Sequence, residues 1–196
     1  MGGNDRLIAK LDAMLDQKVD PSSYSNVEDI SGMIGQYIHG NEPSHHLAYL
    51  YMYAGAALKT QARLKQIVDS QYKAAPDGLV GNDDLGQMSA WLVFTSLGFY
   101  PVAPASNEYV LGRPFVNRAV IHLPNGNLLT ISSVNLSDEQ GYVKDILLNG
   151  RSLDRSYVTH EELMNGGELK FIFSVEANAV WSHRKLRTPF SSSAFH

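Results

Sequence analysis

The sequence contains no cysteine among its 196 residues, which excludes disulfides and thiolate metal sites. It also lacks any apolar run close to the length of about 20 residues that a membrane-spanning helix needs. The sequence has no excess of positive charge: the formal net charge is -4 and basic residues cluster only near the end. This gives no support to nucleic-acid binding. The first residues, Met1–Asp5, are polar and are not a signal peptide.

Apolar side chains are plentiful, at 44% of the sequence against 18% charged, which is enough for a packed core in one large domain or two small ones. The pattern changes near 101–106. Before this point apolar residues follow helical spacing, and after it short apolar runs alternate with turn residues. The sequence therefore predicts an α+β fold, with helices first and antiparallel strands second.

The helical half is predicted to contain helices at 5–15, 30–37, 43–54, 60–72 and 84–97. The last of these carries no charged residue between Leu85 and Tyr100, so we expect it to be buried nearly all round. Strands are predicted at 109–111, 118–122, 128–131, 143–148 and 169–175. Asn125-Gly126 and Asn149-Gly150 are hairpin signals between these strands.

The segment from His39 to His46 combines a carboxylate, an amide and three imidazoles. On a helix, Glu42, His45 and His46 stand at i, i+3 and i+4 and share a face. Such a face is suited to bind a cation, to bind a sugar or to do acid–base work. Alternatively, Asn41 caps the helix, Glu42 favours its positive end and the histidines are hydrogen-bonded in the core. The residues alone leave both interpretations open.

A second polar cluster, Asn82-Asp83-Asp84, stands just before the apolar helix predicted at 84–97. Asp84 with Gln87 three residues later is a capping-box pattern. Capping explains one carboxylate but not three polar residues in series. A carboxylate at a buried helix start that faces a cleft could instead activate water as a general base.

Several motifs, in order along nearly the whole chain, resemble the signature of glycoside hydrolase family 92. They are Gly40-Asn41-Glu42-Pro43-Ser44-His45-His46, Tyr49-Leu50-Tyr51, Pro76-Asp77-Gly78, Gly81-Asn82-Asp83-Asp84-Leu85-Gly86-Gln87-Met88-Ser89-Ala90-Trp91, Leu97-Gly98-Phe99-Tyr100-Pro101-Val102, Leu123-Pro124-Asn125-Gly126, Leu148-Asn149-Gly150 and Gly166-Gly167-Glu168-Leu169, followed by Asn178 and Trp181.

The resemblance implies a calcium-dependent exo-α-mannosidase that inverts the anomeric centre, with α-1,2 linkages of mannan or N-glycans as the expected substrates. Calcium is expected to contact the mannose and help distort it towards the transition state. The family fold is a β-sandwich, an (α/α)6 barrel and returning strands. Residues 1–103 would then be the last part of the barrel, 104–182 the C-terminal antiparallel region, and 183–196 a disordered tail. Members are usually periplasmic, cell-surface or secreted.

Residue by residue, Asp84 matches the family's general base. Asn82 stands where some members have a second Asp that assists the base, so this chain departs from that pattern. The resemblance further assigns substrate-binding positions to Asn41, His45, His46 and Asp83, and calcium positions to Asn41 and Glu42.

The general acid of the family lies in a Glu-Gly…Trp-x-Tyr segment that does not occur here, so we expect this chain to begin after the acid. An inverting glycosidase needs two carboxylates about 6.5–9.5 Å apart, and this chain would supply one of them. Glu42 is the alternative candidate for the acid.

Two functions follow from this resemblance. The first is a C-terminal portion of a family 92 mannosidase, inactive alone, whose partners are an α-mannoside glycan and the missing N-terminal part. The alternative is a non-catalytic glycan-binding or assembly module of the same origin. Barrel helices without their neighbours would expose apolar faces, so we expect the chain to self-associate.

Overall fold

The computed structural model describes residues 2–24, 27, 30–137, 141–176, 181 and 185–191. Helices dominate the first half and strands the second, which confirms the α+β prediction. The helices are α1 (Asn4–Asp16), α2 (Leu50–Tyr53), α3 (Ala57–Gln71), α4 (Gln87–Leu97) and α5 (His160–Met164). Among the residues that the structure describes, no helix is long and apolar enough to span a membrane.

The strands form three sheets. Their bounds are β1 (Met33–Ile34), β2 (Tyr37–Ile38), β3 (Phe99–Tyr100), β4 (Glu108–Leu111), β5 (Arg118–His122), β6 (Leu128–Val134), β7 (Tyr142–Leu148), β8 (Arg151–Ser152), β9 (Tyr157–Thr159) and β10 (Gly167–Ser174). The sheet orders are β1-β2, β3-β4-β9 and β5-β6-β10-β7-β8. Both predicted hairpins are confirmed, as β5–β6 and β7–β8 are antiparallel. The all-antiparallel prediction is wrong at one place, because β10 runs parallel to β6.

The helix predicted at 30–37 is instead the hairpin of β1 and β2. Gly35 lies in its turn with φ 61°, and a Cβ there would overlap the backbone carbonyl of Met14. The amide of Gln36 donates to that same carbonyl at 2.8 Å. The turn therefore packs directly against the end of α1, a tertiary contact that outweighs the local helical spacing.

The helix predicted at 43–54 is also wrong for most of its length. Glu42–Ser44 and Leu47–Tyr49 form 3-10 turns, and regular α-helix is confined to α2. Glu42 is exposed whereas His45 is fully buried, so the two side chains do not share one face as expected. The 3-10 turns change the side-chain directions, because they turn every three residues rather than every 3.6.

Helix α4 begins at Gln87, three residues later than predicted, and only one of its faces is fully buried. Met88, Trp91 and Thr95 form that buried stripe, while Val93 is 58% exposed. The absence of charge therefore did not mean burial on all sides, because described neighbours cover one face only.

The core is continuous from the helices to the sheets, and α4 joins the two halves. A Cβ on Gly98 would lie 2.7 Å from the ring of Phe171, so the end of α4 approaches the central strand β10 closely. Within the tail predicted to be disordered, residues 185–191 are described and paired: the amide of Arg187 donates to Asp154, and its carbonyl accepts from Ser156. Residues 183, 184 and 192–196 of that tail lie outside the described residues.

Candidate functional site

Buried His39 lies at the centre of the first polar segment. The Tyr72 hydroxyl donates to the carbonyl of Met88 at 3.0 Å, so its oxygen accepts from His39 Nε2–H at 2.7 Å. His39 Nδ1 then accepts from the Tyr37 hydroxyl at 2.7 Å. Burial and the nearby His45 lower the pKa of His39 to about 3, so the imidazole is neutral. His39 is thus a structural connector whose ring nitrogens are both engaged.

His45 is buried beside it and its ring nitrogens are engaged as well. Nε2–H donates to the carbonyl of His39 at 2.9 Å, and Nδ1 accepts from the Gln87 amide at 3.1 Å. Burial lowers the pKa of His45, while the hydrogen bond to His39 and the charges of Glu42 and Asp84 act in the opposite direction. Both polar segments are therefore close enough to act on one ring.

Three contacts tie the 39–46 segment to α4. The Trp91 indole donates to the carbonyl of His45 at 3.0 Å, and its ring packs edge-on to His39 at 4.5 Å between centroids. Gln87 adds its bond to His45 and also donates to the Tyr100 hydroxyl at 3.2 Å. Because α4 begins three residues after Asp84, these contacts fix one segment relative to the other.

Ser31 fills the space between the two segments. A Cβ on Gly40 would overlap Ser31 Oγ, and a Cβ on Gly81 would lie 2.5 Å from the same atom. The Gly40 amide also donates to the Ser31 carbonyl at 3.1 Å. The two glycines thus let the segments approach each other across Ser31, a contact that sequence reasoning missed.

The two carboxylates of the acidic cluster differ in their hydrogen bonds. Asp83 Oδ1 accepts from both the amide and the hydroxyl of Ser89, each at 2.9 Å, so Asp83 is bonded to the first turn of α4. The capping box predicted for Asp84 is not formed, because the N-cap of α4 is Gly86 and makes no side-chain cap bond. Within the described residues, no hydrogen bond or ion pair involves the carboxylate of Asp84.

The backbone at Asp84 and the two residues after it has an unusual, left-handed conformation. The φ of Asp84 is 46°, that of Leu85 is 55° and that of Gly86 is 89°, so three consecutive residues are left-handed. For a non-glycine L-residue this conformation costs roughly 1–2 kcal/mol. The exposed side chain of Leu85 offers no packing to offset that cost. Strain of this kind persists only where the surroundings impose it.

The other expected site residues lie at the surface of the same region. Glu42, Asn82, Asp83 and Asp84 are exposed, and Asn41 and His46 are half-buried. In this chain they line an open surface rather than an enclosed pocket. The pattern of polar residues did not reveal which of them are engaged: His45 and Asp83 are hydrogen-bonded to α4 residues Gln87 and Ser89.

Calcium fits these residues in kind but not in number. The oxygens of Asn41 and Glu42 are hard donors of the type that calcium prefers, but calcium takes six to eight oxygen ligands. Among the described residues, no three histidine or acidic side chains are grouped so as to hold a metal ion. Any further ligands would have to be water, substrate or groups from outside this set.

Comparison of the sequence with models of known protein families shows to which family the chain belongs. Residues 1–174 match the model of the glycosyl hydrolase family 92 catalytic domain. The chain belongs to glycoside hydrolase family 92.

Two solved family 92 enzymes share its fold. One is an α-mannosidase of Bacteroides thetaiotaomicron in complex with mannoimidazole, 37% identical, with a TM-score of 0.88 over 97% of this chain and 25% of that one. The other is an inverting mannosidase of the same species, 34% identical, with a TM-score of 0.80 over 98% of this chain and 27% of that one.

A curated relative, an uncharacterized secreted glycosidase of Arthroderma benhamiae, is 30% identical over 91% of this chain and 21% of its own length. This chain therefore spans about a quarter of the length of these three relatives.

Proposed function

We propose that this chain carries the water-activating wall of the active site of an inverting exo-α-mannosidase that hydrolyses α-1,2-linked mannosides of mannan or N-glycans. The observation that carries the proposal is the Asp84 carboxylate, which is exposed, has no hydrogen-bond partner among the described residues, and acts electrostatically on His45. Among the described carboxylates of the acidic cluster, Asp83 is occupied by Ser89, which leaves Asp84 available for chemistry.

In the proposed reaction, Asp84 accepts a proton from water as the water oxygen attacks the anomeric carbon. The bond to the leaving oxygen breaks on the opposite face, and a general acid outside this chain protonates that oxygen. Asn82 stands two residues before the base in the sequence and is expected to orient the water. Asn41 and His46 are expected to bind mannose hydroxyls, while His45 orients this wall through its bonds to His39 and Gln87.

Asn41 and Glu42 are the residues of this chain that would hold calcium. When bound, the ion would contact the sugar hydroxyls and favour the distorted ring. Glu42 is a second exposed carboxylate whose charge acts on His45, so it remains the alternative general acid.

A hybrid enzyme tests the proposal. Residues 1–174 of this chain replace the matched quarter of the B. thetaiotaomicron α-mannosidase, and hydrolysis of α-1,2-mannobiose is followed by NMR. We expect β-mannose as the first product. Asp84→Asn should lower kcat by about 10²–10⁴-fold, the usual contribution of general base catalysis. Asp77→Asn, at an exposed turn, is the matched control and should keep full activity.

The unmodified 196-residue chain should not turn over this substrate, because in this proposal the second carboxylate comes from outside the chain. Turnover by the chain alone that is lost in both Asp84→Asn and Glu42→Gln would show instead that Glu42 is the acid. An Asp84→Asn hybrid with unchanged kcat would refute the base assignment. Mannose binding without turnover by an intact hybrid would favour the non-catalytic module.

A further inference from the structure

The left-handed run at Asp84–Leu85–Gly86 has no explanation in packing. Leu85 is fully exposed, and a Cβ on Gly86 would meet no atom within 4 Å. Neither residue is therefore required by a neighbouring side chain. The conformation itself is the unusual feature, and backbone strain of this kind clusters at functional sites.

The alternative to this turn is an ordinary helix start. If Asp84 had the extended backbone of an ordinary N-cap and α4 began directly after it, its carboxylate would accept amide bonds from the first turn of the helix. The structure moves that task to Asp83, which bonds Ser89. The turn thus separates a carboxylate used for capping from one that remains free.

Both ends of the turn are anchored. The Gln87 amide donates to the Asp84 carbonyl at 3.1 Å, and the Met88 amide donates to the Asp83 carbonyl at 3.2 Å. Helix α4 is in turn fixed to His45 through Gln87 and Trp91. Because its ends cannot move independently, a change of conformation inside the turn would reorient the Asp84 side chain.

We infer that Gly86 and the left-handed turn it closes position the Asp84 carboxylate, keeping it out of the helix cap and directed at the site. This inference rests on the proposed role of Asp84 as the general base. Gly86 is a positioning residue, since it touches no reacting atom.

The test compares two glycines of equal geometry in the hybrid enzyme. Gly86 has φ 89° and Gly126 has φ 85°, and at both a Cβ would meet nothing within 4 Å. Alanine should therefore strain both turns alike. We expect Gly86→Ala to lower kcat about 10- to 100-fold with KM unchanged, as a misplaced catalytic group does. Gly126→Ala, in the β5–β6 hairpin, should leave kcat and KM within about twofold.

Equal effects of Gly86→Ala and Gly126→Ala on kcat would overturn the inference, and so would a rise in KM alone for Gly86→Ala. An unchanged kcat in Asp84→Asn would instead refute the proposed function itself, so the two failures are distinguishable.

A second measurement uses the 196-residue chain itself and does not depend on the hybrid. Asn adopts left-handed φ more readily than other non-glycine residues, so Leu85→Asn should raise Tm by about 2–4 °C. Leu85→Ala removes the same exposed side chain without that backbone preference and should give no rise. Identical Tm values for the two variants would show that the turn is not strained, which would contradict the inference.

Discussion

At the scale of single residues, the site depends on a histidine that never meets substrate in the proposed reaction. His39 is fully buried, and its two ring nitrogens join Tyr37 to Tyr72. Burial lowers its pKa from 6.5 to about 3. Protonation would convert the accepting nitrogen into a donor facing the Tyr37 hydroxyl and place an unpaired charge in the core.

This gives a pH dependence of stability. Between pH 6.5 and about 3 the unfolded chain binds a proton at His39 that the folded chain does not. The contribution of His39 is therefore fully present above pH 6.5 and is lost as the pH falls, by about 1.4 kcal/mol per pH unit. Urea unfolding at pH 7, 6 and 5 measures this slope.

Two variants isolate the contribution of His39 from that of the carboxylates. His39→Gln keeps a donor and an acceptor but does not titrate, so its free energy of unfolding should fall less steeply below pH 6.5. His122→Gln, at an exposed position, should keep the wild-type slope. If His39→Gln and the wild type show parallel pH profiles, His39 is not the group responsible.

At the scale of elements, the spacing of apolar and turn residues predicted most of the helices and strands that depend on local interactions. Helices α1 and α3 lie within a few residues of their predicted bounds, because their apolar faces follow one helical period. Strand β5 has the predicted bounds, and Asn-Gly pairs mark the β5–β6 and β7–β8 hairpins at the two edges of the sheet. Helix α5 was missed although Thr159 and Glu162 form a capping box that the sequence displays.

The failures have a common physical cause in tertiary contact. The β1–β2 hairpin is fixed by the contact of its turn with α1, and nothing in its own spacing reveals that contact. Similarly, the sequence identified Asp83 and Asp84 as candidates but assigned the cap to the wrong one. Which carboxylate bonds Ser89 depends on a left-handed turn that leads into α4, a helix fixed to His45 by Gln87 and Trp91.

The junction of the two site segments gives an element-scale prediction. Gly40→Ala should destabilise the chain by about 1–3 kcal/mol, the usual cost of overpacking, because the new methyl group overlaps Ser31. Adding Ser31→Gly should recover much of this loss. Urea denaturation of the two single variants and the double variant measures the coupling energy.

A different clash provides the control. A Cβ on Gly78 would overlap the backbone carbonyl of Lys73, with no contact to Ser31. Ser31→Gly should therefore not rescue Gly78→Ala. If it rescues both glycine variants equally, its effect is general and the specific contact between Ser31 and Gly40 is not what couples the segments.

At the scale of the whole molecule, the described residues cover α4 on one side only. Trp91 and Met88 are fully buried, but Val93 is 58% exposed in the middle of the helix. An apolar helix face of this kind normally packs against something, and this chain spans about a quarter of its solved relatives. We therefore retain the prediction that the isolated chain associates with a second copy through this face.

Val93→Glu tests it, because a charge at the centre of the contact would have to be buried on association. We expect the 196-residue chain to show a concentration-dependent rise in mass by analytical ultracentrifugation, and the variant to remain monomeric at the same concentrations. Val134→Glu changes a side chain of 42% exposure at the end of β6 and should still associate. A wild-type chain that is monomeric throughout, or equal dissociation in both variants, would contradict association through α4.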